Sequence, residues 1–358
     1  MATVWKDIDE VKPGDVLADD VFDGVSFTLI LKKGTTVTEE SIELMRKRNI
    51  KRVPVLVGEG DDEESLVIEV EKAIITKEDF AVPSAPPTIS EKLYNESINA
   101  ITEVVGKLFE TDTLDKDKVR DVANKVVAEV FGKKRNVLNL VKKHASGFLY
   151  KHLMNTGVIS GMIAVEMGMP IHEAIRITEA GMLHDIGLGL INAEARNDVE
   201  KLDDEIMNHP AIGAKFLRES GMPIEVTDAV LFHHERWDGK GFPMGLKGKR
   251  IPTIARIIAV ADAYDTLTSE DLKEKSMPPY YAMRWIISGS KRYFDPDIVS
   301  TFVNMVGVYP TGTRVLLSDG REGIVIGRSE KLLKPIVDVD GDVIDLSKEP
   351  TLWITKVL

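Results

Sequence analysis

Five of the seven histidines in the chain, His152, His184, His209, His233 and His234, fall within one window of 83 residues. His233 and His234 are adjacent, and His184 is followed directly by Asp185. With Asp185 and Asp262 they form a candidate ligand set of imidazole nitrogens and carboxylate oxygens. A single buried histidine is ordinarily a satisfied core residue, but five on successive helix-like segments fit that reading poorly. Imidazole and carboxylate donors suit iron, manganese, zinc, nickel or cobalt. The chain has no cysteine, so iron–sulfur and thiolate-zinc sites are excluded. Neighbouring residues on a helix point about 100° apart, so adjacent ligands can address two different ions. Asp185, beside a ligand histidine, is the natural bridge. Two ions roughly 3.5–4 Å apart make a nucleophile of bound water and stabilise charge on a phosphoryl oxygen, which is the chemistry of phosphoester hydrolysis.

Such ligands must be held by rigid elements, and the sequence places them on helices. Leu93, Ile98, Ile101, Val104, Val105 and Leu108 share one amphipathic face, and Val119, Val122, Val126, Val127 and Val130 share another. The stretch from Val137 to Met167 continues the pattern and carries His152. A helix over Ile171–Met182 runs into His184-Asp185, with Gly187 and Gly189 predicting its end. His209 is expected near the start of the next helix, with Pro210 just after it. Ile224–His234 and Ile254–Leu267 are further helical runs, the second carrying Asp262 and Asp265.

The flanks differ in character. Residues 1–57 predict a small α/β unit: Val25–Leu31 is a strand candidate, and Thr38 is an N-cap ahead of Glu39 and Glu40, with Arg46-Lys47-Arg48 closing the helix. The acidic run around Glu59–Glu64 and Val82-Pro83-Ser84-Ala85-Pro86-Pro87 form a linker. Near the other end, Asp319-Gly320 and Asp340-Gly341 sit between apolar runs and predict two hairpins, with Trp353–Leu358 adding a strand. The predicted architecture is therefore multi-domain and mainly α. An N-terminal α/β accessory module spans 1–80, with linker to about 90; an all-α metal-binding core spans 91–308; a small antiparallel β module spans 309–358.

A net charge of -12 argues against binding nucleic-acid polymers or anionic membranes, which call for basic patches. A small anionic substrate remains compatible if metals supply local positive charge. No apolar run reaches membrane-spanning length and the N-terminus lacks a leader pattern, so a cytoplasmic protein is expected. Protein partners through the accessory modules, and a homodimer, are left open by the sequence.

The order His152, His184-Asp185, His209, His233-His234 and Asp262, with the string His-His-Glu-Arg-Trp-Asp-Gly-Lys-Gly-Phe-Pro from residue 233 and Phe294-Asp295-Pro296, resembles the HD-GYP family. This is a branch of the HD superfamily of metal-dependent phosphohydrolases. The resemblance covers roughly residues 140–305; Lys12–Leu17 and Lys33-Gly34-Thr35 also resemble modules that precede such domains. It implies an all-α HD-type core that hydrolyses cyclic di-GMP, or a related cyclic dinucleotide, to pGpG or GMP by attack of a metal-bridging hydroxide on phosphorus. It makes His152, His184, Asp185, His209, His233, His234 and Asp262 the metal ligands, Asp185 bridging, with iron or manganese as the usual metals. Three-metal members carry a glutamate four residues before the first ligand histidine. Phe148 holds that place here, which implies two metals.

Three positions depart from the family pattern. Leu188 replaces the lysine of His-Asp-Ile-Gly-Lys, Phe242 replaces the tyrosine of Gly-Tyr-Pro, and Ser269–Lys273 stands where a basic Arg-Pro-Tyr-Arg segment is usual. Each missing charged hydrogen bond removes about 1.5–3 kcal/mol. Arg236 and Lys240 are candidates to replace the lost contacts. Trp237 is a candidate to stack on a guanine or to pack the turn, and Phe242 keeps the ring without the hydroxyl. Glu235 and Asp265 are candidates to orient ligand histidines from behind; a helix-surface carboxylate and a cap are their plainer readings. His144 and His172 carry no expected function. Besides a phosphodiesterase, the sequence admits a metal-containing cyclic-dinucleotide sensor or docking scaffold without turnover, and an HD-superfamily hydrolase of another phosphoester.

Overall fold

Alternation and capping shape the first residues. In the computed structural model, which describes residues 2–18, 21–22, 29–32, 34–48, 50, 52–57, 89–132, 148–191, 199–269 and 277–358, the chain divides into two units, Met1–Phe80 and Ala81–Leu358. In the first, β1 (Ala2–Asp7) pairs antiparallel with β4 (Arg52–Val57), and β2 (Val21–Phe22) with β3 (Leu29–Leu31). Helix α1 (Glu39–Lys47) starts at Thr38, whose hydroxyl accepts from the Ser41 amide. Leu17, Met45, Val53 and Val55 are buried at the centre of this unit. Of the expected strand Val25–Leu31, residues 29–31 are strand and 25–28 lie outside the described residues. The acidic run and the proline-rich linker lie outside them too.

In the second unit the amphipathic runs become α2 (Glu91–Thr111), α3 (Lys116–Gly132), α4 (Phe148–Glu166) and α5 (Ile171–Leu183). Then follow a single turn α6 (Ile186–Gly189), α7 (Val199–Glu219), α8 (Ile224–Phe232), α9 (Thr253–Thr268), α10 (Pro279–Ser288) and α11 (Pro296–Val306). Helix α4 is apolar almost all round, with Leu153, Met154, Val158, Ile159, Met162 and Ile163 fully buried, as befits a helix inside a bundle. Its closest neighbour is α5. A Cβ added at Gly181 would lie 2.8 Å from the Gly157 Cα, so only glycine on both helices lets the backbones meet there. Helix α9 is likewise sunk in the bundle, and Asp262 and Asp265 are buried on it among Ile257, Ile258, Val260 and Ala261.

The C-terminal hairpins form as the turn chemistry predicts. Strands β5 (Arg314–Leu317), β6 (Glu322–Gly327), β7 (Ile336–Val339), β8 (Asp342–Asp345) and β9 (Ile354–Val357) make one sheet in the order β8-β7-β6-β5-β9, with every pairing antiparallel. Asp340 and Gly341 both take positive φ, 54° and 94°, the pair of left-handed residues that a two-residue hairpin turn of matching twist requires. Val315, Leu317, Val325, Val337, Val339 and Leu346 give the sheet its own core. Among the described residues no helix is long and apolar enough to cross a membrane.

Candidate metal centre

The seven candidate ligands converge. His152 on α4 and His184 at the end of α5 bring their Nε2 atoms to 3.2 Å, and the close α4–α5 crossing makes that approach possible. Asp262 Oδ1, from α9, lies 3.3 Å from His152 Nε2 and 3.8 Å from His184 Nε2. On the other side His209 Nε2 is 3.4 Å from His233 Nε2 and 3.2 Å from His234 Nε2. Asp185 stands between the groups. Its Oδ1 is 3.1 Å from His209 Nε2 and 3.4 Å from His233 Nε2; its Oδ2 is 3.4 Å from His184 Nε2 and 3.7 Å from His152 Nε2. Two sets of ligand atoms, Asp185/His209/His233/His234 and His152/His184/Asp262, each lie within 4.8 Å of one another and could each hold a metal ion.

The rings are aimed by their other nitrogen. A histidine ligates through one nitrogen when the second donates its proton elsewhere. Here His184 Nδ1 donates to Gly181 O at 2.9 Å, His233 Nδ1 to Val230 O at 2.7 Å, and His209 Nδ1 to Ile206 O. Each acceptor lies three residues back, and each carbonyl is available for a reason. His184 and His233 occupy the C-caps of α5 and α8, where the last carbonyls lack an intrahelical donor. His209 is in mid-helix, but the next residue is Pro210, whose missing N–H would have bonded Ile206 O. The proline frees the carbonyl that orients the ligand. This corrects the sequence reading, which placed His209 near the helix start: α7 begins ten residues earlier, at Val199.

The glycines after Asp185 have a different role from the expected helix stop. Helix α5 ends at Leu183 and the turn α6 follows at once. A Cβ at Gly187 would lie 2.0 Å from His209 O, so glycine there lets α6 press against α7 and holds Asp185 and His209 together. At Gly189 a Cβ would meet the Phe109 ring at 1.8 Å.

Electrostatics at the centre are strongly perturbed. Burial opposes charge on Asp185, yet His184, His209 and His233 outweigh it and hold the carboxyl well below its ordinary range. Burial likewise opposes charge on His152, and Asp262 and Asp265 overcome it, raising this imidazole well above its usual value. His184 is depressed to about 4 by burial, despite Asp185 and Asp262 nearby. His234 is lowered by burial and by the neighbouring His233 and His209. Asp185 Oδ1 is buried and accepts no hydrogen bond, although imidazole nitrogens surround it. A buried carboxylate oxygen left without a donor, facing Nε2 lone pairs, fits a cation better than it fits the protein alone.

Of the supporting candidates, Asp265 Oδ2 lies 2.8 Å from His152 Nδ1, directly behind that ring. Glu235 does not stand behind a histidine, nor is it a helix-surface group. It is buried, and its two oxygens accept from the Met244 amide at 2.7 Å and the Leu246 amide at 2.8 Å, which folds the 235–246 loop back on itself. Phe242 stacks on the ligand His234 with ring centres 4.8 Å apart. Of the basic candidates, Arg236 is engaged elsewhere: it donates to Asp238 Oδ2 at 2.7 Å and lies over the Tyr293 ring. Lys240 is exposed, its backbone amide bonding Asp238. Trp237 is half-buried, its amide donates to Tyr293 O, and Arg256 lies near its ring. Leu188 is half-buried. The Phe148 side chain, His144 and residues 270–276 lie outside the described residues; His172 is exposed. Sequence reasoning missed Asn155, which bonds Asp265. A polar residue three positions after a ligand on the buried face of α4 is the signal that marks it.

Comparison with known proteins agrees with this geometry. The HD domain family matches residues 135–298. A cyclic di-GMP phosphodiesterase of Pseudomonas aeruginosa is 33% identical over 235 residues, covering 63% of this chain and 56% of that protein. A cyclic di-GMP phosphodiesterase of Thermotoga maritima is 34% identical over 183 residues, 47% of this chain and 48% of that protein. A 3'3'-cGAMP-specific phosphodiesterase of Vibrio cholerae is 27% identical over 154 residues, 41% of this chain and 30% of that protein. The chain spans about half the length of the first two relatives. The HD domain match takes in every one of the seven converging side chains, so the segment that carries the site is similar to the HD domain family.

Proposed function

We propose that the chain is a metal-dependent phosphodiesterase that hydrolyses cyclic di-GMP, or a related cyclic dinucleotide, to linear pGpG or GMP. The observation that carries this reading is the division of Asp185: one oxygen faces His209 and His233, the other faces His152 and His184. His152, His184 and Asp262 would hold one divalent ion and His209, His233 and His234 the other, with Asp185 shared. Iron or manganese suits this donor set best, with zinc, nickel and cobalt as alternatives. When bound, such ions polarise a phosphoryl oxygen and make water nucleophilic near neutral pH. The chain's own part is to present five imidazoles as neutral donors. Four are accounted for: His184, His209 and His233 through backbone carbonyls and His152 through Asp265.

A second reading, a metal-containing sensor or docking scaffold without turnover, draws on Leu188 and on the engagement of Arg236 by Asp238 and Tyr293. One experiment separates the two. Purified protein with quantified iron and manganese is incubated with cyclic di-GMP, 3'3'-cGAMP and a generic phosphodiester. Turnover of a cyclic dinucleotide supports the enzyme. About two metals per chain with nothing cleaved leaves the sensor, and cleavage of the generic ester alone removes the cyclic-dinucleotide assignment.

A further inference from the structure

Behind His152 runs a buried chain of hydrogen bonds that ends on a helix outside the family-matched segment. Asp265 Oδ2 takes the His152 Nδ1 proton at 2.8 Å; Asp265 Oδ1 accepts from Asn155 Nδ2 at 2.8 Å; Asn155 Oδ1 accepts from the Tyr94 hydroxyl at 2.7 Å. Tyr94, Asn155, His152 and Asp265 are each at most 4% exposed. Tyr94 lies in the first turn of α2, whose start is fixed by the Ser90 amide and hydroxyl on Glu129. The family match begins at residue 135, after that helix has ended.

The chain has a polarity, and the Asp265 carboxylate sets it, because it can only accept. Burial and the Asp265 charge keep the phenol protonated, and in this chain it donates. Asp265 draws the amide nitrogen of Asn155, which leaves the amide oxygen to accept from the phenol. Asp265, accepting on both oxygens, leaves His152 Nδ1 no role but donor. Its Nε2 lone pair is thereby turned toward His184, Asp185 and Asp262. Without the hydroxyl, the buried Asn155 oxygen loses this donor and the amide keeps only its bond to Asp265 to hold it in place.

We infer that Tyr94 is a positioning residue for the metal centre, holding Asn155 and through it the Asp265 carboxylate that fixes the tautomer and orientation of His152. The inference rests on the metal-site reading above. Its test is Tyr94→Phe, which keeps the ring in its packing and removes one oxygen, in the full chain and in an Asn155→Ala background. Mn(II) affinity is measured by competition with a chelator. In metal-free protein, nitrogen-15 NMR reads the His152 tautomer and proton NMR the exchange rate of its Nδ1 proton. Removing the partner of a ligand lowers metal affinity about 10–100-fold; two bonds further out, Tyr94→Phe should lower it about five- to tenfold and speed exchange of the Nδ1 proton. With Asn155→Ala already present it should do neither, because contributions made through one network are not additive.

Wild-type affinity in Tyr94→Phe overturns the inference, and so does the same loss in both backgrounds, which marks a packing effect. A neutral His152 that carries its proton on Nε2 and not on Nδ1, in the metal-free wild type at a pH where the ring is neutral, also overturns it, with no variant needing to fold. If the wild type takes up no Mn(II), the metal-site reading fails, while the tautomer and exchange of His152 still decide the role of Tyr94.

Discussion

Asp185→Asn is the substitution that most directly examines the shared carboxylate. The amide keeps the shape of the side chain but removes its charge and one acceptor. Both oxygens of Asp185 lie 3.1–3.7 Å from histidine nitrogens of the two groups, on a side chain only 14% exposed. Removing one partner from a buried ionic cluster costs about 3–5 kcal/mol, and at about 1.4 kcal/mol per decade this is two to three and a half decades of metal affinity. The loss should fall on both ions. Replacements on one side should behave differently: His184→Ala should leave about one ion per chain, held by His209, His233, His234 and Asp185, and His234→Ala should spare the other ion. The assay is metal content by mass spectrometry after dialysis against a graded series of chelator, beside thermal unfolding to show that each variant is folded. If Asp185→Asn retains two ions at wild-type affinity, or if it removes only one, the carboxylate is not shared and the two-group geometry has been misread.

Three other outcomes follow from the geometry. Leu188→Lys, at a half-buried position three residues after Asp185, should add a charged contact for a phosphate, and kcat/KM for a cyclic dinucleotide should rise by one to two decades, about 1.5–3 kcal/mol; steady-state hydrolysis checks this. Glu235→Ala leaves the Met244 and Leu246 amides without their acceptor and should lower stability by about 1–3 kcal/mol, read as a lower Tm with unchanged metal content. For pH the sign is set by His152 and His209, whose values are raised because carboxylates outweigh the effect of burial. Protons compete with metal there, so Mn(II) affinity should strengthen as pH rises and weaken as it falls through their raised values, with proton release on binding measurable by calorimetry in buffers of different ionisation enthalpy.

The helices and hairpins were legible because their signals are local. Val119, Val122, Val126, Val127 and Val130 repeat with helical spacing, and Asp340-Gly341 can only be a tight turn between two apolar runs. The candidate ligands were legible because histidine is scarce in this chain and clustered. What escaped was whatever depends on backbone atoms or distant contacts. His209 was expected near a helix start with Pro210 just after it, yet both lie in mid-helix, where the proline's lack of a donor serves His209. Gly187 looked like a terminator and is a point of close helix approach. Glu235 sits beside His234 in sequence, but the amides it binds, Met244 and Leu246, are nine and eleven residues on. No period in the sequence carries the Tyr94–Asn155 bond, whose partners are 61 residues apart.

The carbonyls behind His184, His209 and His233 carry a consequence for how this centre can change over generations. A main-chain oxygen is present whatever side chain its residue bears, so replacements at Ile206 or Val230 that preserve the helix leave the orientation of His209 and His233 intact. That half of the centre is robust to mutation. His152 depends instead on Asp265, Asn155 and Tyr94, each encoded by a codon that can drift. Variation among descendants of this chain should therefore collect around the ion held by His152, while its neighbour keeps the same surroundings.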